Sequence, residues 1–154
     1  SGPPLKTTPN VKVYGSFRFA ESISYDPDRD LYVVPSAGMP QELVPNDGYV
    51  SLINPDGTVH TPKFIGVNRD GLTLNHPLGS DVINGLLYVA DIDTIRWFDM
   101  ATGQPKGAVQ VPGVSRFNDI EVAPDGTIMR GNERPRQVIF RGPATTSRPG
   151  PTTT

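Results

Sequence analysis

The sequence predicts an all-β protein, because short runs of strand-forming residues recur between turn residues and no helical pattern interrupts them. β-Branched and aromatic residues cluster in runs such as 31–34 (LYVV), 87–90 (LYVA) and 95–98 (IRWF), each followed by Pro or Asp. The 154 residues include 16 Gly and 17 Pro, and no stretch free of both carries apolar residues at helical spacing.

The turns between these runs predict antiparallel hairpins. Residues 54–57 (NPDG), 84–85 (NG) and 123–126 (APDG) each separate two strand-forming runs. Proline at the second position of such a turn presets φ, and glycine accepts the positive φ that the turn needs. Neighbouring runs are therefore expected to pair as hairpins.

The runs also repeat along the chain. Those at 31–34, 87–90 and 127–130 align at intervals of 56 and 40 residues. A unit of roughly 40 to 50 residues with four short strands is typical of a β-propeller blade. The first interval is longer because it contains the Pro- and Gly-containing loop 35–47, and such loops often carry function.

The predicted organisation is an N-terminal extension with a first strand over 1–16, three four-stranded blades over 17–141 and a disordered Pro- and Thr-rich tail over 142–154. Three blades are half of a six-bladed ring, whereas propellers close with about four to eight blades. We therefore expect a homodimer in which two-fold association through exposed blade edges completes the ring. The alternative is that the chain is a fragment of a longer protein.

Composition excludes several partners and chemistries. A net charge of −2 without any basic run gives no electrostatic footprint for nucleic acid or for an anionic membrane surface. The lack of cysteine excludes disulfides, zinc–thiolate sites and a cysteine nucleophile. No apolar run approaches the roughly 18 residues of a membrane span. The two histidines, His60 and His76, are expected in a solvated position and in a loop, and their spacing does not indicate a Ser-His-Asp triad.

Four segments carry a resemblance to a known family. They are 19–26 (FAESISYD), 30–34 (DLYVV), 98–103 (FDMATG) and 116–119 (RFND). Over 17–141 the chain resembles the N-terminal half of the gluconolactonase/regucalcin (senescence marker protein) family. The resemblance implies a six-bladed propeller that hydrolyses sugar lactones. It also implies one divalent cation at the channel mouth, calcium first with zinc or magnesium as alternatives, and no organic cofactor.

The resemblance assigns candidate site residues as well. Glu21 matches the first metal ligand of the family, and Asn118 is expected to supply a second oxygen ligand here. Arg116, Asn118 and Asp119 fall in the substrate-binding segment, where the arginine would donate paired hydrogen bonds to a sugar-acid carboxylate. In the family's chemistry the cation polarises the lactone carbonyl while an activated water attacks it. No catalytic base is identified.

Alignment of the repeats supports this geometry from the residues alone. It puts Glu21, Leu78 and Asn118 each just before an inner strand, where side chains face a central channel. Two of these three side chains carry the oxygen atoms that a hard cation prefers. The remaining ligands of the family, an Asn and an Asp, correspond to segments beyond residue 154, so a single chain holds too few ligands for a tight site. A two-fold dimer would place two copies of Glu21 and Asn118 around one channel.

Each candidate also has a structural interpretation. Glu21 can be a solvated residue at a strand start, Arg116 a surface residue with a buried stem, and 118–119 a turn pair. Asp91 and Asp93 alternate at a strand end. They either bind a cation or, as we favour, cap a loop through backbone hydrogen bonds.

The sequence therefore supports three functional hypotheses. The first is a gluconolactonase-like propeller segment, whose complete relatives are metal-dependent lactone hydrolases acting on small molecules. The second is a non-catalytic truncated propeller that serves as a binding or assembly module. The third is another kind of propeller, such as an NHL-type binding repeat. Since complete relatives are often exported, the resemblance favours a periplasmic or extracellular location.

Overall fold

A computed structural model describes residues 22–37, 46–66, 73–117, 120–130 and 138–141. These residues form strands and turns with no helix, which confirms the all-β prediction. The strands form three antiparallel sheets. Within the described ranges, no helix is long and apolar enough to cross a membrane. The extension predicted over 1–16 and the tail predicted over 142–154 lie outside the described residues.

The first sheet contains four strands in sequence order, β1 (Ser24–Asp26), β2 (Leu31–Ser36), β3 (Tyr49–Ile53) and β4 (Val59–Gly66). β2 continues to Ser36, so it includes two residues of the segment that was predicted as loop. The β3–β4 turn has the predicted form, since the Gly57 N–H donates to the Asn54 carbonyl at 2.9 Å.

The second sheet has the same order, with β5 (Pro77–Ile83), β6 (Leu86–Asp91), β7 (Thr94–Asp99) and β8 (Pro105–Gln110). The turn between β5 and β6 consists of Asn84 and Gly85 at φ values of 48° and 77°. Two consecutive positive φ values are what a two-residue hairpin turn of the Asn-Gly kind requires, so this predicted hairpin is confirmed.

The third sheet contains three described strands, β9 (Ile120–Val122), β10 (Thr127–Arg130) and β11 (Val138–Arg141), with β10 in the middle. The turn between β9 and β10 is closed by the Gly126 N–H, which donates to the Ala123 carbonyl at 2.9 Å. Four strands were predicted for this unit, and three lie among the described residues.

The second sheet packs against a neighbouring sheet on each of its two faces. One face packs against the first sheet in a cluster that includes Val33, Leu52, Leu87, Val89 and Phe98. The other face packs against the third sheet in a cluster of Tyr88, Ala90, Ile95, Phe117, Ile120, Val122 and Ile128. Side chains alternate between faces along a strand, so consecutive residues of β6 enter different clusters.

β5, the first strand of the second sheet, contacts the first strands of the other two sheets, β1 and β9, through polar side chains. The hydroxyl groups of Ser24 on β1 and Ser80 on β5 are 2.9 Å apart. One carboxylate oxygen of Asp81 accepts the Val122 N–H of β9 at 2.8 Å, and the other accepts the Val82 N–H at 2.9 Å. β1, β5 and β9 therefore form the line along which the sheets meet.

The predicted alignment of 31–34 with 87–90 is wrong by one residue. Leu31 and Leu87 lie in the same cluster, facing each other across the boundary between the sheets. When sheets are related by a rotation, equivalent residues all point toward the following sheet or all point toward the preceding one. Val33 points from the first sheet toward the second. Its equivalent in the second sheet, which points toward the third, is Tyr88, 55 positions later. The hairpin loops differ in length, and a slip of one residue reverses the face of every side chain.

Tyr88 offers a test of this core. Its side chain is fully buried, and its hydroxyl has no hydrogen-bond partner among the described residues. Burial raises the pKa of the Tyr88 phenol above its ordinary value. We expect Tyr88→Phe to raise the free energy of unfolding by about 1 kcal/mol, because an unpaired buried hydroxyl is removed.

The pH dependence of this effect has a defined sign. A raised folded-state pKa stabilises the protein below the unfolded pKa of about 10, and this stabilisation is lost as the pH rises through the folded value. The advantage of Tyr88→Phe should therefore grow above about pH 10. Urea denaturation at neutral and alkaline pH measures both effects. Lower stability of the variant at neutral pH would show that the hydroxyl has a favourable partner.

Candidate functional site

The candidate site lies at one end of the second sheet, where β5 begins and β6 ends. Asn75 and His76 directly precede β5, Asp91 is the last residue of β6, and Arg116 belongs to the segment that leads into β9. Arg96 on β7 reaches the same end through an ion pair with Asp91. Residues from three separate parts of the chain thus meet here.

Asp91 organises this end. Its carboxylate is 1% exposed and accepts the backbone N–H of His76 at 2.6 Å and that of Asn75 at 3.1 and 3.0 Å. The Arg96 Nε donates to the same carboxylate at 2.7 Å and balances its charge. Asp91 therefore has the loop-capping role that was favoured from the sequence.

His76, directly before β5, and Arg116, in the segment before β9, form a polar contact. The His76 side chain is 4% exposed, and its Nε2 lies 2.6 Å from Arg116 Nη2. A guanidinium has only donors, so Nε2 must be the acceptor. The imidazole is then neutral and carries its proton on Nδ1. Because Arg116 retains further N–H groups, this pair is a basic, donor-rich element.

A strained turn holds the segment that carries Arg116. Ile92, between β6 and β7, has a φ of 60°, which is rare for a β-branched residue. Its carbonyl accepts the N–H of Phe117 at 2.7 Å, and the Phe117 side chain is buried in the cluster between the second and third sheets. Arg116 is therefore attached to the core through its neighbour.

Asp93 has a separate role from Asp91. Its carboxylate accepts hydrogen bonds from Gln110 Nε2 at 2.7 Å and from Thr94 Oγ1 at 3.0 Å. These bonds, that from Gln110 first, lower the pKa of Asp93 below its ordinary value. The two aspartates have different partners and do not form a shared cation site.

The metal prediction was carried by residues outside the described ranges. Glu21, Asn118 and Asp119 all lie there, and Arg116 is the one predicted site residue that is described. In the described part of the chain, no group of three His, Cys, Asp or Glu residues is arranged to hold a metal ion. The Asp91 carboxylate does not suit a cation, because it already pairs with a guanidinium and two backbone donors.

His76 is the site residue that sequence reasoning missed. It was predicted as a loop residue, and its partner lies 40 positions away in the chain. One signal was available. In the alignment that matches Leu78 with Asn118, His76 falls at the position of Arg116, which was selected as a substrate-binding residue.

No family model matches the chain, and no curated protein matches it. Among solved structures, it is similar to the crystal structure of the computationally designed Ika4 protein, with a TM-score of 0.41 and 15% sequence identity. The similarity covers 86% of this chain and 96% of that one.

The two aspartates provide a matched test of the site's architecture. Asp91→Asn removes the charge that balances Arg96 and one of the acceptor oxygens, so we expect a loss of about 2–4 kcal/mol in the free energy of unfolding. Asp93→Asn, two residues away, should cost much less, because the hydrogen bonds that Asp93 accepts from Gln110 and Thr94 lie at or near the surface. Chemical denaturation of both variants measures the difference. Equal losses would show that Asp91 does not organise this end.

Proposed function

We propose that the chain is a three-blade segment of a gluconolactonase-like propeller, and that the completed ring is a metal-dependent sugar-lactone hydrolase. The three antiparallel sheets, with β5 in contact with both β1 and β9, support the propeller arrangement. The resemblance of 116–119 to the family's substrate-binding segment supports the activity.

One observation carries the proposal. Arg116 lies in the segment that leads into β9 and is hydrogen-bonded to His76, which directly precedes β5. Two blades thus contribute side chains to one end of the line of inner strands. Small-molecule sites in folds of this kind form where several elements bring a few polar groups together.

The residues have distinct proposed roles. Arg116 binds the ring oxygens of a sugar lactone, and the carboxylate of the sugar acid that hydrolysis produces, through charge-assisted hydrogen bonds. His76 positions Arg116 by accepting one of its N–H groups. Glu21 and Asn118 are the proposed ligands of a divalent cation, calcium first, and Asp119 and Asn118 contact the substrate beside it. When bound, that cation would activate the lactone carbonyl.

A second candidate is a non-catalytic binding or assembly module. The specific observation in its favour is that the exposed large apolar side chains of the described residues lie in or next to the first and third sheets, which suits a partner surface. The two candidates differ in turnover. An assembly module associates without hydrolysing a lactone.

Hydrolysis of D-glucono-δ-lactone in the presence of calcium tests the leading proposal. We expect turnover that EDTA abolishes and a melting temperature that calcium raises, the latter because a ligand bound to the folded state stabilises it. Arg116→Met should lower kcat/KM about 10- to 100-fold by removing a charged hydrogen-bond donor. Lys106→Met, which removes an exposed cation on β8, is the matched control and should leave kcat/KM unchanged.

The calcium arm separates the metal ligand from the substrate residues. Glu21→Gln should abolish the calcium-induced rise in melting temperature, whereas Asp28→Asn in the exposed β1–β2 turn should retain it. Inactivity of the wild-type chain combined with unchanged melting in calcium would overturn the hydrolase proposal and leave the binding module.

His76 can be tested as a positioning residue with two substitutions. His76→Leu removes the acceptor for Arg116, so KM should rise about 10-fold while kcat changes less. His76→Gln restores an acceptor oxygen and should recover most of the loss. The ¹⁵N chemical shifts of the wild-type imidazole should report the tautomer with its proton on Nδ1. Equal effects of Leu and Gln at matched melting temperatures would refute the positioning role.

A further inference from the structure

The exposed large apolar side chains are not scattered over the surface. Among the described residues there are five: Ile23 (68% exposed), Tyr25 (43%), Tyr32 (40%), Val59 (38%) and Val138 (66%). Four belong to the first sheet or its entry, one belongs to the third, and none belongs to the second. Clusters of exposed apolar residues mark interaction surfaces, whereas single ones are ordinary.

The first four lie on one face. Tyr25 pairs with Tyr32, Tyr32 pairs with Ile53, and Ile53 pairs with Val59. Directly paired residues of an antiparallel sheet point to the same side, and Ile23 shares the side of Tyr25 because the two are separated by two positions. The rings of Tyr25 and Tyr32 are 5.2 Å apart. The opposite side carries the core residues that pack on the second sheet, so these four form the outer face of the first sheet.

Val138 lies on the corresponding outer face of the third sheet. It pairs with Met129, which pairs with Glu121. The neighbouring residues Ile128 and Val122 point the other way, into the cluster shared with the second sheet. The outer face of the third sheet is therefore defined by Glu121, Met129 and Val138.

The outer face of the first sheet occupies positions that are interfaces in the other two sheets. On the inner strands, Tyr25 is equivalent to Val82 and to Val122, at intervals of 57 and 40 residues. Val82 is 8% exposed because it packs on the first sheet, and Val122 is 5% exposed because it packs on the second. Tyr25, at 43%, has no preceding sheet among the described residues.

We propose that the outer face of the first sheet packs against the outer face of the third sheet of a second copy of this chain, and reciprocally. The inference rests on the propeller arrangement proposed above and deepens it by naming the surface. The contact is made by sheet faces rather than by the blade edges expected from the sequence. Two identical head-to-tail contacts related by a two-fold axis close the assembly.

Two faces with different roles dictate the choice of occupant. We call the face of a sheet that points toward the following sheet its forward face, and the face that points toward the preceding sheet its backward face. Each boundary within the chain joins the forward face of one sheet to the backward face of the next. The outer face of the first sheet is a backward face, and that of the third sheet is a forward face. A second copy therefore supplies the face that is missing at each end.

The molar mass of the full chain in solution tests the proposal. We expect light scattering at micromolar concentration to give twice the chain mass of 16.7 kDa. Tyr25→Glu and Val138→Glu should each weaken association about 100-fold or more, because each buries an unpaired charge in the contact. Gln104→Glu, in the exposed turn between β7 and β8, introduces the same charge away from both faces and should leave the dimer intact.

Mixing variants distinguishes the head-to-tail contact from a symmetric one. Tyr25→Glu mixed with Val138→Lys should associate more tightly than either variant alone, since the two new charges meet across one contact. In a dimer that joins two first sheets, Val138→Glu would have no effect, and that result would overturn the proposal. A wild-type monomer would also overturn it and leave the face to further strands of a longer chain. An open series of larger masses would overturn the two-copy closure.

Failure here is separable from failure of the proposed function. A monomer that hydrolyses the lactone retains the function and refutes the contact. A dimer that breaks on Tyr25→Glu but hydrolyses nothing retains the contact and refutes the hydrolase.

Discussion

Packing of a neighbouring sheet on each face of the second sheet is the constraint on which the rest of the structure depends. A strand covered on both sides has no polar face, and β6 accordingly reads as an uninterrupted apolar run until it ends at Asp91. Leu87 and Val89 require the first sheet, whereas Tyr88 and Ala90 require the third. The loops that bring His76 and Arg116 together are positioned by this double packing, by the Asp91 cap on His76 and by the Ile92–Phe117 hydrogen bond.

Local features of the fold could be predicted from the sequence because their causes are local. The Asn84–Gly85 hairpin follows from the positive φ values that its turn requires, and the turn at 54–57 follows from its Pro and Gly. The alignment of the second strands could not be predicted in the same way. Both faces of 87–90 are apolar, so alternation does not show which residue faces which neighbour. The β1–β2 loop is two residues longer than the β5–β6 loop, so the interval between equivalent residues falls from 57 on the first strands to 55 on the second strands, one less than the predicted 56.

The candidate site was predictable to a smaller extent. The capping role of Asp91 follows from the tendency of a strand-end aspartate to bond nearby backbone donors. Arg116 was indicated by a family resemblance alone. The contact between Arg116 and His76 joins residues that are 40 positions apart, and it forms because two separate sheets stack. A short-range sequence pattern therefore does not predict it. A buried neutral imidazole facing a guanidinium is a tertiary product of that stacking.

The serine pair between the inner strands has a geometric consequence. Ser24 and Ser80 are small and 2.9 Å apart, whereas the same boundary is filled further out by Phe98, Met100 and Ile65. Side-chain volume along this boundary therefore decreases toward β1 and β5, so the space between the two sheets is wedge-shaped. A taper of this kind fixes the angle between successive sheets, and that angle decides how many of them complete a circle. The cross-section of two hydroxymethyl groups thereby helps to set the symmetry of any closed assembly.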